Sequence, residues 1–193
     1  YATGFISLVY PMIAQGIMPA NYPVSAFGLS GYSGAGKKVI AAYEAEERPA
    51  DFDAPREYAL TQSHKHLKEM QMISGIDYMP MFSPIVSDFY SGMEVTVTLN
   101  KEDVQGNLDD IKNVCRKAYP DGLIYFAEAA DEGGFLSALA LSGRDDMEIT
   151  VHGHEERMLL TARFDNLGKG ASGAAIQCLN AHLGCDEAKG LNL

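Results

Sequence analysis

Two histidines separated by one residue, His64 and His66, are the strongest candidates for chemistry in this 193-residue sequence. Tyr58 precedes the pair and Glu69 follows it, so polar groups that could orient an imidazole lie close in the chain. Imidazole titrates near pH ~6.5, which suits proton transfer near neutral pH. A metal ion would need further ligands, and the only other close histidine pair (residues 152 and 154) falls in a predicted solvated turn. These residues alone leave a catalytic and a structural role for His64 equally open.

A glycine-rich stretch, Ser30–Lys38, follows a predicted strand and matches the GxxxxGK spacing of a phosphate-binding loop from Gly31 to Lys37. Lys38 stands where such a loop needs Ser or Thr to bind magnesium, and no strand ending in an acidic residue supplies the second metal-binding element. A nucleoside triphosphatase is therefore a weak hypothesis. Two interpretations remain: the glycines expose successive N–H groups that cradle an anion, or they form a tight turn with no ligand.

A third stretch, Asp165–Gln177, contains Asn166 and then a run of small residues that opens a predicted helix. Small residues allow another surface to come close to the helix backbone. That surface is either another part of the same domain, or a ligand or second domain that meets the N-terminus of the helix.

The composition excludes several classes of partner. Fifteen Lys and Arg against 26 Asp and Glu give a formal net charge of −11, which disfavours nucleic acid and anionic membranes. No segment reaches the ~18–20 apolar residues of a membrane helix, and no signal peptide is evident. The three cysteines, at positions 115, 178 and 185, form no CxxC pair, so neither a disulfide framework nor a zinc site is predicted. We therefore expect a cytoplasmic protein with no metal.

Apolar periodicity predicts one domain in which helices and strands alternate. The opening helix, 2–16, contains Pro11, which predicts a kink or a restart at that point. Further helices are predicted over 37–46, 60–75, 107–118 and 170–183, and strands over 22–29, 78–86, 93–99, 122–126, 147–151 and 158–164. This order predicts an α/β (α+β) fold, a mixed β-sheet with helices packed on one face. The chain begins at Tyr1 within a helical pattern, which we interpret as the start of a fragment.

Four of these stretches, taken together, resemble the N-acetyl-gamma-glutamyl-phosphate reductase family along nearly the whole chain. Tyr1–Phe5 resembles the residues that follow the nucleophilic cysteine of that family, and Leu29–Lys38 resembles its serine-glycine substrate loop. His64–His66 resembles its His-x-His element, and Asp165–Gln177 resembles its C-terminal helix motif. Four matches in the same order are far more specific than any one of them.

The resemblance implies a C-terminal domain of the glyceraldehyde-3-phosphate dehydrogenase-like class, with 1–193 forming the catalytic and dimerisation domain. Helix 170–183 would pack toward an absent NADP-binding domain. In this family a cysteine thiolate attacks N-acetyl-gamma-glutamyl phosphate, phosphate leaves, and NADPH reduces the thioester to N-acetylglutamate 5-semialdehyde, a step of arginine biosynthesis. The cysteine would stand immediately before Tyr1, and no dinucleotide fingerprint is present, so we expect this chain to be inactive alone.

The resemblance also implies roles for individual residues and a homodimer or homotetramer. His64 would be the acid/base partner of the cysteine, and Asn166 and Gly170 would face the nicotinamide of NADP. Six residues would contact the substrate, namely Ser30, Gly31, Lys37, Tyr58, His66 and Glu69. Two alternatives remain: a domain like that of aspartate-semialdehyde dehydrogenase, which the His-x-His element argues against, and a non-catalytic oligomerisation module.

Overall fold

Seven strands form a single mixed sheet in the computed structural model, which describes all residues from Tyr1 to Leu193. The strands are β1 (Ser25–Gly31), β2 (Arg56–Glu57), β3 (Met81–Ser87), β4 (Met93–Asn100), β5 (Ile124–Phe126), β6 (Met147–His154) and β7 (Arg157–Phe164). The helices are α1 (Ala2–Ala14), α2 (Lys37–Tyr43), α3 (Leu67–Ser74), α4 (Leu108–Ala118) and α5 (Gly173–His182). None of these helices combines the length and the apolar character that crossing a membrane requires.

The strand order across the sheet is β2-β3-β1-β4-β7-β6-β5. Strand β1 runs parallel to β3 and β5 runs parallel to β6, whereas all other neighbouring strands are antiparallel. Both kinds of pairing occur in one sheet, so the predicted mixed α/β architecture is confirmed.

One face of the sheet carries the core. Strand β4 alternates strictly, with Val95, Val97 and Leu99 buried and the threonines between them half-buried. Helix α1 packs on β4 and β7 over these side chains, and α4 packs on β5 and β6. Helix α3 lies against α1, so the main helices share one face of the sheet, as the sequence predicts.

Helix α1 continues through Pro11 without the restart that the sequence predicts. Proline has no N–H, so the carbonyl of Ser7, four residues earlier, loses its helical hydrogen bond. The hydroxyl of Tyr119, just after α4, donates to that carbonyl at 2.9 Å. A side chain from another helix therefore supplies the missing donor, which the local sequence cannot reveal.

The opposite face of the sheet is covered only in part. The segment 127–146 crosses it, and Glu132 from this segment joins Glu148 on the guanidinium of Arg163, whose side chain is 5% exposed. Beyond this cover, three apolar side chains on different strands are exposed on this face. They are Phe27 of β1 (45% exposed), Met81 of β3 (63%) and Leu159 of β7 (43%). The uncovered part of this face thus carries exposed apolar side chains on β1, β3 and β7, with Thr96 and Thr98 of β4 between them.

The sequence misplaces two elements. The helix predicted over 60–75 begins only at Leu67, because residues 58–66, which follow β2, form an irregular segment along the sheet edge. The helix predicted from residue 170 begins with a π-helix, Gly168–Ser172, that leads into α5. A Cβ on Gly168 would lie 2.2 Å from the Arg144 carbonyl oxygen, and one on Gly173 would lie 2.3 Å from Oδ1 of Asp145. Packing within the domain therefore accounts for these two glycines.

Candidate active site

The two predicted histidines lie side by side in the segment between β2 and α3. Their ring centroids are 4.8 Å apart, and the backbone N–H of His66 donates to Nδ1 of His64 at 3.2 Å. Since Nδ1 of a neutral imidazole accepts only when the proton is on the other nitrogen, neutral His64 carries its proton on Nε2. His64 is thus prepared to donate a hydrogen bond from Nε2.

Tyr1, the residue just before α1, forms the floor under the pair. Its ring lies 5.9 Å from His64, 6.3 Å from His66 and 5.2 Å from Phe82, centroid to centroid. The hydroxyl of Tyr1 donates to the carbonyl of Ile85 at 3.3 Å, which fixes the ring against β3. Neither Tyr1 nor Phe82 was among the predicted site residues, because their part in the site comes from contacts distant in sequence.

A glycine in the middle of β1 makes room for this floor. A Cβ on Gly28 would lie 2.5 Å from the Tyr1 ring, closer than real Cβ atoms approach a neighbour. Glycine within a strand often marks such a close approach. The sequence analysis did not single out Gly28, because its partner Tyr1 is 27 residues away in the chain and only the fold brings the two together.

Three further predicted residues border the same site. Tyr58 lies 5.9 Å from His64 between ring centroids. Burial raises the pKa of the Tyr1 phenol, whose hydroxyl neighbours those of Tyr58 and Ser30. Glu69 is exposed in the first turn of α3, and its charge acts on the Tyr1 amino group. The structure therefore brings Tyr58 to His64, whereas Ser30 and Glu69 lie near Tyr1.

The surroundings of both imidazoles favour their neutral form. Burial is the main cause that lowers the pKa of His64, with a smaller contribution from the Tyr1 amino group. Burial and the same amino group lower the pKa of His66 to about 4. In a longer chain a peptide bond would replace the amino group, and burial alone would keep the pair neutral.

The start of α1 points at this neutral pair. The Tyr1 amino group is buried there, and burial lowers its pKa to about 5. Nδ1 of His66 is also buried, with no hydrogen-bond partner. The N-terminal turn of a helix carries unpaired N–H groups and the positive end of the helix dipole, which stabilise an anion. This arrangement can hold a thiolate or an oxyanion and exchange a proton with it.

For the first part of the glycine-rich loop, the structure favours a tight turn over the anion cradle, the other interpretation that the sequence left open. The N–H groups of Gly31, Tyr32 and Ser33 all donate to backbone carbonyls of the β3–β4 loop, 89–92, at 2.9–3.0 Å. A Cβ on Gly31 would lie 2.4 Å from the carbonyl oxygen of Tyr90, so this glycine is needed for loop packing. Of the residues predicted to hold the substrate here, Lys37 remains an exposed cation at the start of α2.

Of the two residues predicted to face the cofactor, Asn166 lies beside this loop. Asn166 accepts from the N–H of Gly92 at 2.9 Å and donates to Oγ of Ser33 at 2.9 Å, so its amide is held in one orientation. Gly170 lies in the π-helix and is half-buried. No hydrogen bond or ring contact joins Asn166, Gly170 or Lys37 to the histidine pair.

The second histidine pair, His152 and His154, lies in strand β6 and not in the solvated turn that the sequence predicts. His152 lies within β6, and its Nε2 is buried without a hydrogen-bond partner, whereas His154 is exposed at the strand's end. No three or more His, Cys, Asp or Glu side chains are grouped so that they could hold a metal ion. All three cysteines are free; Cys115 is buried and the other two are exposed.

Comparison with known proteins identifies the family of this domain. Residues 1–166 match the family described as semialdehyde dehydrogenase, dimerisation domain. The chain belongs to this family. The match includes the histidine pair, Tyr1 and the glycine-rich loop, and it ends at Asn166 before the π-helix.

Curated relatives of this semialdehyde dehydrogenase domain bear the name that the sequence motifs suggested. The chain is 40% identical to N-acetyl-gamma-glutamyl-phosphate reductase 2 of Nostoc sp., over 99% of this chain and 64% of that protein. It is also 40% identical to N-acetyl-gamma-glutamyl-phosphate reductase of Brucella ovis, over 95% of this chain and 62% of that protein. The predicted resemblance is confirmed, and the chain spans less than two thirds of these relatives' length.

Solved structures of the same class confirm the predicted fold. Aspartate semialdehyde dehydrogenase II from Vibrio cholerae matches with a TM-score of 0.66 and 16% identity, over 93% of this chain and 59% of that one. The aspartate semialdehyde dehydrogenase from Francisella tularensis matches with a TM-score of 0.66 and 10% identity, over 94% and 63%. At such low identity the likeness shows the shared architecture alone.

Proposed function

We propose that this chain is the catalytic and dimerisation part of an NADP-dependent reductase of arginine biosynthesis. The whole enzyme would convert N-acetyl-gamma-glutamyl phosphate to N-acetylglutamate 5-semialdehyde and phosphate. One observation carries this proposal: a neutral, partly buried His64–His66 pair packs against Tyr1, where α1 begins. The 40% identity to reductases of that name along almost the whole chain supports the choice of substrate.

In this proposal the nucleophilic cysteine immediately precedes Tyr1. Its sulfur would lie at the N-terminus of α1, where the helix dipole lowers the pKa of a thiol. The thiolate attacks the acyl carbon, the bond to the phosphate oxygen breaks, and phosphate leaves with both electrons of that bond. As base, His64 takes up the proton of the cysteine thiol, and its Nε2–H donates a hydrogen bond to the oxyanion that forms during the attack. After the aldehyde has left, His64 gives that proton back to the cysteine sulfur.

We assign the substrate contacts to residues around this centre. Tyr58, His66 and Ser30 border Tyr1 and His64, and Glu69 adds a carboxylate at the rim. Gly31 follows Ser30 at the end of β1 and lets the β3–β4 loop pack against it, and Lys37 offers an exposed cation in a chain of net charge −11. A local cation of this kind would attract an anionic acyl phosphate despite the acidic surface.

We assign the nicotinamide side of NADP to Asn166 and Gly170, with most of the cofactor held by a further domain. Two features of these residues suit a nicotinamide. The amide of Asn166 is held in one orientation by Ser33 and Gly92. Gly170 is followed by the small, exposed Ala171, so the flat nicotinamide ring could approach the backbone there. When bound, NADPH supplies the hydride that reduces the acyl group. We propose that α5 packs toward that domain, since its Ile176, Leu179 and Leu183 are exposed.

The partner that we propose for the bare sheet face is a second copy of the chain. Phe27, Met81 and Leu159 form an apolar surface opposite the helices, which a symmetric partner would cover. Homodimer and homotetramer both satisfy this arrangement. The unpaired cysteines agree with a reducing cytosol as the compartment.

The experiment that tests the proposed function is a comparison of two aldehydes with the whole protein, in which the NADP-binding part precedes Tyr1. The reverse reaction is followed as NADPH formation in the presence of phosphate. We expect kcat/KM for N-acetylglutamate 5-semialdehyde to exceed that for aspartate 4-semialdehyde by at least ~10²-fold. The opposite preference would favour the aspartate-semialdehyde dehydrogenase alternative, and turnover of neither aldehyde would favour a pure oligomerisation module.

A further inference from the structure

The segment before the histidine pair is attached to the edge of the sheet, strand β3. In β2, Arg56 pairs with Val86 and Glu57 pairs with Ile85. The next N–H, that of Tyr58, donates to the Pro84 carbonyl at 3.0 Å. Pro84 has no N–H to return, so the main-chain ladder ends there.

The side chain of Gln62 forms hydrogen bonds to β3 beyond the point where the main-chain pairing ends. Nε2 of Gln62 donates to the carbonyl of Phe82 at 2.9 Å, and the N–H of Phe82 donates to Oε1 of Gln62 at 3.0 Å. One side-chain amide thus makes the two hydrogen bonds that a paired strand residue would make. Without it, both backbone groups of Phe82 on this edge would lose their partners.

The backbone around this amide has an uncommon conformation. Ala59 and Gln62 have φ values of 53° and 54°, and they are the only residues other than glycine with positive φ in the chain. Such conformations are sparsely populated and persist where the surroundings fix them, often at functional sites. A second bond within the segment, from the N–H of Gln62 to the carbonyl of Ala59 at 2.9 Å, closes this turn.

We propose that Gln62 is a positioning residue for His64: its amide fixes the segment 58–66 to β3, so that the imidazole stays over Phe82 and Tyr1. The geometry links the two directly, because the residue whose backbone Gln62 binds, Phe82, also packs its ring 5.4 Å from His64. The value of this placement for catalysis rests on the proposed function, but the placement itself does not.

The test uses NMR on this chain, without substrate or cofactor. Gln62→Met keeps the length of the side chain and removes both hydrogen bonds; Gln62→Glu keeps an acceptor for the N–H of Phe82 but loses the donor. Ala59→Gly is the matched control, because it relaxes the other positive φ and leaves the amide in place.

The readouts are the pH titration of the His64 ring and the exchange rate of the Phe82 amide. The titratable and charged groups around His64 are His66, Lys65, Tyr58 and the Tyr1 amino group, and Glu69 acts on that amino group.

In Gln62→Met the His64 ring should become more solvated, so its pKa should rise toward the ordinary ~6.5. The Phe82 amide should exchange at least ~10-fold faster, as expected for the loss of a hydrogen bond. Gln62→Glu should lie between this variant and the parent, and Ala59→Gly should keep the parent's values. The proposal is overturned if Gln62→Met keeps both parental values, or if Ala59→Gly shifts the His64 titration equally.

The same variants in the whole enzyme separate this proposal from the proposed function. If His64 is the acid/base residue, Gln62→Met should lower kcat more than it changes KM. A shifted His64 titration with unchanged turnover would leave the positioning role intact and would count against the catalytic role of His64.

Discussion

At the scale of single residues, the site depends on keeping two imidazoles neutral and oriented. The backbone N–H of His66 fixes the tautomer of His64, and burial disfavours the charged form of both rings. A neutral ring with its proton on Nε2 can donate a hydrogen bond to an oxyanion, and it can take up one proton as a base. The local spacing of residues 64–66 creates this arrangement, and the floor formed by Tyr1 and Phe82 holds it.

Gly28 provides a direct test of that floor. We expect Gly28→Ala to lower the free energy of unfolding by ~1–3 kcal/mol, because its Cβ would overlap the Tyr1 ring. The same change made in a Tyr1→Ala background should cost much less, since the ring is gone. Chemical denaturation of the four proteins of this cycle measures both effects. Equal costs in the two backgrounds would mean that Gly28 serves some purpose other than admitting Tyr1.

Sequence identified some of these residues and not others for a physical reason. His64, His66 and Tyr58 have titratable side chains and lie close in the chain. Their residue types and spacing were therefore enough to predict them as site residues. Tyr1 and Gly28 act through a contact across the core, and no local pattern encodes such a contact. The aromatic floor therefore became visible only with the fold.

At the scale of elements, periodicity was a reliable guide where burial is one-sided. The strict alternation of β4 was evident in the sequence, and so was the apolar face of α4, with Ile111 and Cys115 buried. Strand β2 escaped prediction because it has two residues and its pairing depends on β3. The π-helix before α5 was not predicted either. Gly168 and Gly173 pack there against residues 144–145, which are distant in the sequence.

The tolerance of α1 for Pro11 depends on Tyr119, which can be tested. Tyr119→Phe removes only the hydroxyl that donates to the Ser7 carbonyl. We expect a loss of about 1 kcal/mol of unfolding free energy, because a partly buried carbonyl is left without a partner. In a Pro11→Ala background the new N–H can bond Ser7, so the same substitution should cost clearly less. Thermal or denaturant unfolding of the cycle measures this, and identical costs in both backgrounds would contradict the assignment.

At the scale of the whole molecule, the sheet separates a face packed with helices from a face with an apolar surface. We expect the chain to self-associate through the latter at micromolar concentration, as measured by sedimentation. Phe27→Lys should shift the population toward monomer, because it places a charge within the surface that would be buried. Met72→Lys is the matched control on exposed α3, and it should leave the assembly unchanged. A parent chain that sediments only as monomer would refute the dimerisation assignment.

The most direct test of the central claim is the turnover of His64→Asn in the whole enzyme, measured with N-acetyl-gamma-glutamyl phosphate and NADPH. We predict that kcat falls by ~10²–10⁴-fold with fold and assembly retained, because one positioned acid/base group is lost. His66→Asn and Lys37→Ala, as comparison variants, should mainly raise KM. Burial lowers the pKa of His64 below its ordinary value of ~6.5. Protonation of His64, and the loss of activity of the parent enzyme that follows from it, should therefore occur only below pH ~6.5. A His64→Asn enzyme whose kcat stays within a few-fold of the parent between about pH 6 and 9 would contradict the account.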